Sequence, residues 1–273
     1  MSVVSYKKEL TDTKNAPFKR LTKGLSSSGG RNSNGRTTIW NRGGGEKRTY
    51  RQIDFSYDKK DVPARVEKIE YDPYHSAFIA LVCYKDGERR YILAPKEMKQ
   101  GDEFIVSATA RGKLGNRTTL GAISVGTFVY NIELKPGAGA RLARSAGSYA
   151  EVVAHDAGYT QLKMPSSEIR RVPSAAWASI GTVSNDEHRL VNFGKAGRSR
   201  HKGLRPKTRG TAKNAVDHPH GGGEGRSPRG HRRERTAQGR PTGKGQKTRK
   251  PKKYSNRNIV SRRRPGKIMG GKR

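Results

Sequence analysis

The last 79 residues of the chain, 195–273, hold 27 Lys/Arg against 3 Asp/Glu, a net of +24, and almost no large apolar side chains. Such a segment cannot bury enough apolar surface in water to offset the entropy of ordering it. It needs a surface to fold onto, and its charge identifies that surface as a polyanion. Lys and Arg displace the counterions condensed on a phosphate backbone, while Gly lets the main chain come close. Residues 24–48, GLSSSGGRNSNGRTTIWNRGGGEKR, share this character. Residues 1–50 carry 11 Lys/Arg against 3 Asp/Glu, a net of +8. Residues 51–194 carry 20 against 17, a net of +3, and read as an ordinary near-neutral protein. Two basic arms therefore flank a folded middle.

The charge of the whole chain, +35 over 273 residues, suits a nucleic-acid partner and no ordinary soluble enzyme. A single cysteine, Cys83, excludes an intrachain disulfide framework and a Cys-rich zinc site. No apolar run approaches the ~18–20 residues of a membrane span. The N-terminal stretch has no signal-type apolar block, and Glu9 and Asp12 argue against a transit peptide. Secreted and membrane-spanning readings are set aside on these grounds.

Strand signals fill the middle. ARVEKIEY (64–71), FIALVCY (78–84) and RRYILAP (89–95) are short runs rich in β-branched and aromatic residues. KDGE (85–88) supplies an Asp-Gly hairpin turn between the last two. FIVSA (104–108), TFVYNIEL (127–134), YAEVVAHD (149–156), YTQLKM (159–164), EIRRV (168–172) and ASIGTV (178–183) follow, with Gly, Pro, Asp or Ser between them. The spacing predicts a mainly β fold of small antiparallel barrels or sandwiches. About 140 residues suits two of them, with a break expected at the polar, Gly-rich 115–130. One short helix is expected within about 185–200. Tyr71, Tyr74, Tyr84 and Tyr91 read as core or rim residues.

Two motifs in the arms carry chemistry. RGGGEKRTYR (42–51) combines Gly43, Gly44 and Gly45 with Arg42, Lys47, Arg48 and Arg51, and Trp40 and Tyr50 offer rings for stacking on bases. DHPHGGGEGR (217–226) sets His218 and His220 two apart around Pro219, which is expected to hold the chain extended, so that both imidazoles point one way. Gly221, Gly222 and Gly223 follow, then Glu224 and Arg226. A metal site would need further ligands, and only Asp217 and Glu224 are near. A general base would need a nucleophile that no spacing implies. A tight bend pressed on RNA, with imidazoles stacking or bonding to phosphate and 2′-OH groups, fits the basic flanks. His231 lies among Arg226, Arg229, Arg232, Arg233 and Arg235, whose charge disfavours its protonated form. Nucleotide-hydrolase signatures fail. The nearest P-loop match, Gly266 to Lys272, has Arg273 where Ser or Thr is required.

The strings SGGRN (28–32), RGGGEKRTYRQIDF (42–55), IEYDPYHSAFIALVCYKDGERRYILAP (69–95), ELKPGAGARLARSAGSY (133–149), GKAGRSRHKGLRPKTRG (194–210) and DHPHGGGEGR (217–226) occur in that order. Together they resemble the family of the second protein of the large ribosomal subunit, in its bacterial and organellar form, from about Phe18 to Arg264. The resemblance implies a basic N-terminal extension (1–55), an OB-like barrel (56–124), an SH3-like barrel (125–194) and a basic C-terminal extension (195–273) that folds on rRNA. It implies a structural, non-enzymatic rRNA binder without metal or cofactor, supporting assembly of the peptidyl-transferase region, tRNA binding and subunit association. The implied partners are large-subunit rRNA, neighbouring ribosomal proteins and small-subunit rRNA at an inter-subunit bridge, with no membrane and no homo-oligomer. The implied location is the ribosome of a bacterial cytoplasm or a mitochondrial matrix.

Carried over residue by residue, the RNA-binding set adds Arg31 and Arg36 in the first arm and Arg144 and Ser145 in the 141–149 loop. In the tail it adds Lys195, Arg198, Arg200, Lys202, Arg205, Arg209, Arg262, Arg263 and Arg264 to the histidine loop, Arg229, His231 and Arg232. His231 falls where the family often carries a histidine for which a part in peptide transfer has been suggested. Two departures stand out. Glu46 replaces the family's usual His, and its carboxylate is expected to rearrange the phosphate contact or to pair with an Arg. RRERTAQGRPTGKG (232–245) replaces the family's Trp-containing stretch. Two other classes compete: an RNA-active catalyst using His231 or the His218/His220 pair, and a free-standing nucleic-acid chaperone.

Overall fold

The continuous apolar run at 78–84 is explained by two cores, one on each face of the strand it forms. In the computed structural model, which describes residues 16–110, 112–225, 227–243 and 249–263, this run sits in the middle of a four-stranded antiparallel sheet. The strands, in chain order, are β1 (Thr22–Gly24), β2 (Thr49–Arg51), β3 (Ala64–Glu70), β4 (Ile79–Tyr84), β5 (Arg89–Leu93), β6 (Glu103–Phe104), β7 (Arg117–Thr119), β8 (Phe128–Tyr130), β9 (Ile132–Glu133), β10 (Ala140–Leu142), β11 (Ala150–Asp156), β12 (Tyr159–Lys163), β13 (Ile169–Pro173), β14 (Trp177–Ile180) and β15 (Ile259–Ser261). The first sheet runs β5-β4-β3-β6. Alternation along β4 sends Ala80, Val82 and Tyr84 into a core with Val66, Ile92 and Phe104. Ile79 and Leu81 go into another with Tyr91, Leu93, Tyr130 and Val183. Tyr130 belongs to β8 of the second sheet and Val183 follows β14, so this second core joins the two sheets. The Asp-Gly turn behaves as read: Tyr84 N–H donates to the Glu88 carbonyl at 2.9 Å, and Gly87 takes a φ of +86°.

The second sheet is seven-stranded, in the order β15-β13-β12-β11-β8-β14-β7. Leu120, Val129, Ile132, Ala150, Val152, Leu162, Val172 and Ala178 form its core. The β11–β12 hairpin closes on Ala157 and Gly158, both at positive φ (43° and 78°), the twist-matched two-residue turn. The run 127–134 does not form one strand. Asn131 at φ +49° breaks it into β8 and β9, and the Asn131 side chain donates to the Tyr57 hydroxyl at 2.9 Å.

The polar stretch 115–130, where a break was expected, contains regular structure. Its β7 is a strand of the second sheet, pairing with β14, and Arg117 is buried against Glu133 at 3.0 Å. Arg117 also donates to the Asn131 carbonyl at 2.6 Å and lies over the Tyr57 ring. Burial by ion pairing, rather than by apolar side chains, hides this strand from a hydrophobicity reading. Of FIVSA (104–108) only Phe104 lies in a strand, β6, and Val106 makes an isolated bridge to Arg117. Tyr84 and Tyr91 are core residues, while Tyr71 and Tyr74 lie at the rim.

The chain divides into two compact units. One comprises residues 1–26, 47–194 and 257–264, and the other 27–46, 195–256 and 265–273. Every buried hydrophobic side chain among the described residues belongs to the first unit; in the second, only Ser255 is buried. The expected short helix resolves into a 3-10 turn at Asp186–Leu190 and, in the second unit, α1 (Ala196–His201). Gly203, at φ +79°, ends α1. The fold is mainly β, as expected, and no helix among the described residues is long and apolar enough to cross a membrane.

Candidate nucleic-acid interface

The second unit holds its shape by backbone hydrogen bonds and glycine contacts. Gly30 takes φ +82°, and its carbonyl accepts the Thr38 and Ile39 amides at 2.9 and 3.0 Å. Inside that loop the Asn32 side chain accepts the amides of Asn34 and Arg36. The result is a rigid loop that presents Arg31 and Arg36 to solvent.

The two arms then clasp one another. Gly43 N–H donates to the Gly203 carbonyl at 2.9 Å, Glu46 N–H to His201 at 2.9 Å, and Arg205 N–H to Asn41 at 3.0 Å. Arg42 and Leu204 form an antiparallel bridge. A Cβ on Gly45 would stand 2.9 Å from Gly203 N and 3.1 Å from the His201 carbonyl. The close approach that Gly45 permits is thus to the chain's own tail. Among the described residues Glu46 does not pair with an Arg: its carboxylate meets His201 Nδ1 at 2.6 Å.

Around the histidines the chain turns at Pro219 instead of running extended, because Gly221 N–H donates back to the His218 carbonyl at 2.9 Å. Gly221 is tucked where a Cβ would stand 2.3 Å from the Asn214 carbonyl. The rings still face one way: His218 and His220 lie 4.9 Å apart, and His231 joins them 5.9 Å from His220. No sequence spacing signalled this third member. His220 N–H donates to His218 Nδ1 at 3.0 Å, and Arg235 N–H donates to His220 Nε2 at 3.1 Å. Each of these two rings therefore uses one nitrogen as an acceptor. Partial burial, then the neighbouring His218, His231 and Arg229, hold the His220 pKa below its ordinary value.

Beyond the histidines the divergent stretch forms a small hairpin. Thr236 N–H donates to the Arg240 carbonyl, Thr242 N–H to the Glu234 carbonyl, and Arg235 bridges Pro241. Glu234 pairs with Arg229. Lys195, Arg198, Arg200, Lys202, Arg205, Arg209 and Arg232 are exposed in the second unit. Arg262 and Arg263, just past β15, are exposed in the first. Arg226 and Arg264, and the near P-loop match at 266–272, lie outside the described residues.

The first unit contributes differently. Lys47 is exposed; Arg48 lies 4.4 Å over the Tyr74 ring and donates to the Pro73 carbonyl. Tyr50 packs edge-on against Tyr74 at 5.4 Å, so its ring is committed to the protein. Arg144 stacks 4.4 Å over Phe55, and the Ser145 carbonyl accepts the Ser148 amide and hydroxyl. Trp40, in the second unit, remains half-exposed, with Lys213 Nζ 4.2 Å over its ring, a neighbour the sequence did not indicate.

The family model described as Ribosomal Proteins L2, RNA binding N-terminal domain, matches residues 18–107, and that of Ribosomal Proteins L2, C-terminal domain, matches residues 113–239. The chain belongs to the uL2 family of large-ribosomal-subunit proteins. Large ribosomal subunit protein uL2 of Granulibacter bethesdensis is 54% identical over 254 residues, 93% of this chain and 91% of its own length. The uL2 of Rickettsia bellii is 54% identical over 242 residues, 89% of this chain and 88% of that one. The uL2 of Roseobacter denitrificans is 51% identical over 250 residues, 92% and 89% respectively. An OB-like barrel followed by an SH3-like one, the expectation drawn from the resemblance, fits the two sheets of the chain.

Proposed function

We propose that this chain is a structural component of the large ribosomal subunit whose two arms, clasped as one unit, complete their folding on rRNA. The observation that carries the reading is the second unit itself. It is ordered by main-chain bonds yet has no buried apolar side chain among the described residues, and it displays a dense set of cations. A polyanion supplies the missing stabilisation through counterion release. The RNA-binding set runs from Arg31 to Arg264 as named above. Arg48, Arg144, Arg262 and Arg263 present it from the barrel unit, and the histidine loop forms its tightest bend. The chain-order division into an extension to 55, an OB-like barrel to about 124, an SH3-like barrel to 194 and the tail belongs to this proposal, with β7 serving the second sheet.

The same reading assigns support of the peptidyl-transferase region, tRNA binding and an inter-subunit bridge to small-subunit rRNA, beside neighbouring ribosomal proteins. The chain works without forming a homo-oligomer, in a bacterial cytoplasm or a mitochondrial matrix. The catalytic alternative in its His218/His220 form is disfavoured because His218 Nδ1 and His220 Nε2 already accept backbone amides, so those nitrogens are not available as bases; the His231 form is left to the experiment. The test is replacement of His218, His220 and His231 together by Gln in cells. Loss of subunit assembly or local rRNA geometry supports the structural reading. A slowed peptide-transfer rate on fully assembled, geometrically normal subunits contradicts it.

A further inference from the structure

Within the second unit a groove of about 320 Å³ opens between the first arm and the tail, walled by Trp40 and Asn41 on one side and by Gly210, Lys213 and His218 on the other. We infer that this groove receives one unstacked nucleotide of rRNA, its base lying on the Trp40 ring, its phosphate held by Lys213, and a base-edge or 2′-hydroxyl acceptor bonded by His218 Nε2. The inference rests on the rRNA-binding reading above and deepens it.

Three observations carry it. Trp40 is 48% exposed although it is the largest apolar side chain of the unit, and no core claims it. Every base has a π-face, so an open indole beside cationic side chains is a stacking platform for single-stranded nucleic acid. Lys213 Nζ sits 4.2 Å over the same ring, so a base that takes the ring displaces the ammonium toward that nucleotide's own phosphate. His218 is oriented from within. Its Nδ1 accepts the His220 amide, so the neutral ring carries its proton on Nε2, and that atom has no hydrogen-bond partner among the described residues. The His218 ring lies against Gly210, where any Cβ would stand 2.4 Å from Cε1, so Gly210 is what lets the ring pack flat against the wall of the groove. An aromatic platform, a cation and an oriented donor around a space too small for a helix describe a site for a single nucleotide.

The test uses the full chain and the whole large-subunit rRNA transcript, with single-nucleotide chemical probing of the complex and equilibrium binding across a salt series. Trp40→Ala is expected to weaken binding about tenfold or more without changing the salt slope, and to make one protected nucleotide reactive. Trp40→Tyr should restore most of the affinity and the protection. Lys213→Gln should reduce the salt slope by about one phosphate. Because Trp40 is half-exposed, circular dichroism of Trp40→Ala should match the parent. Parental affinity together with an unchanged probing pattern in Trp40→Ala overturns the site while leaving the rRNA-binding reading intact. Failure of the unaltered chain to bind the transcript overturns that reading, and the site with it.

Discussion

Gly45→Ala tests whether the two arms are clasped before RNA arrives. The added methyl would sit 2.9 Å from Gly203 N, 3.0 Å from its Cα and 3.1 Å from the His201 carbonyl, all backbone atoms that no rotamer change can move. Relief to an ordinary contact of about 3.5 Å requires the strands to part by about 0.5 Å. That takes the Gly43–Gly203 and Glu46–His201 hydrogen bonds, both 2.9 Å, to the edge of bonding distance. At about 0.5–1.5 kcal/mol each, the clasp loses about 1–3 kcal/mol, or about 5- to 150-fold in its closed-to-open ratio. Native-state hydrogen exchange in the RNA-free chain reads this directly. The Gly43, Glu46 and Arg205 amides should exchange faster by that factor, while β4 amides do not change. Gly197→Ala, in α1 with nothing within 4 Å of the new methyl, is the control and should leave the clasp amides alone. Unaltered exchange of all three amides in Gly45→Ala would refute the clasp.

Further outcomes follow from the ionisable groups and the charge. Glu133→Ala strands the buried Arg117 guanidinium, which costs about 3–5 kcal/mol and should lower the melting temperature by about 6–20 °C in calorimetry. Burial pushes the Tyr57 hydroxyl up to about 12, above its unfolded value near 10. Its contribution is complete below pH 10 and is lost as pH rises through about 12, so alkaline unfolding and the 295 nm absorbance of Tyr57 should rise together. The His220 pKa is lowered in the fold, so the unfolded chain binds more protons below about 6.5 and the loop weakens as pH falls from there. NMR should show a His220 midpoint below that of an unfolded control, with the Arg235 amide losing protection in step. Reversible binding of the free chain to protein-free rRNA, as distinct from its retention in assembled subunits, should fall about 10³- to 10⁵-fold between 50 and 200 mM salt if about six to ten phosphates are met.

The strands of the middle were legible because their cores are apolar and their turns carry Asp-Gly or Gly. β4 read as a continuous run because it faces a core on both sides. β7 was not legible, since its burial depends on the match of Arg117 to Glu133, and no hydrophobic pattern encodes an ion pair. The break at Asn131 was missed for a related reason: a positive φ on a non-glycine residue is held by the Tyr57 contact, which is distant in sequence. In the arms, composition revealed the partner class and the key motifs but not their mutual contacts. Glu46 meets His201 across 155 residues, and His231 reaches His220 through a turn whose glycines were read as facing RNA. Local spacing carries no record of such encounters.

The central claim is that this chain is built into the large ribosomal subunit through its rRNA. Sucrose-gradient sedimentation of cell extract at low and high salt, followed by detection of the chain in each fraction, tests it most directly. Co-migration with large subunits is expected at both salt concentrations, because arms folded into RNA are not released like a surface-bound cation. Recovery near the top of the gradient, or release from subunits at modest salt, would contradict it.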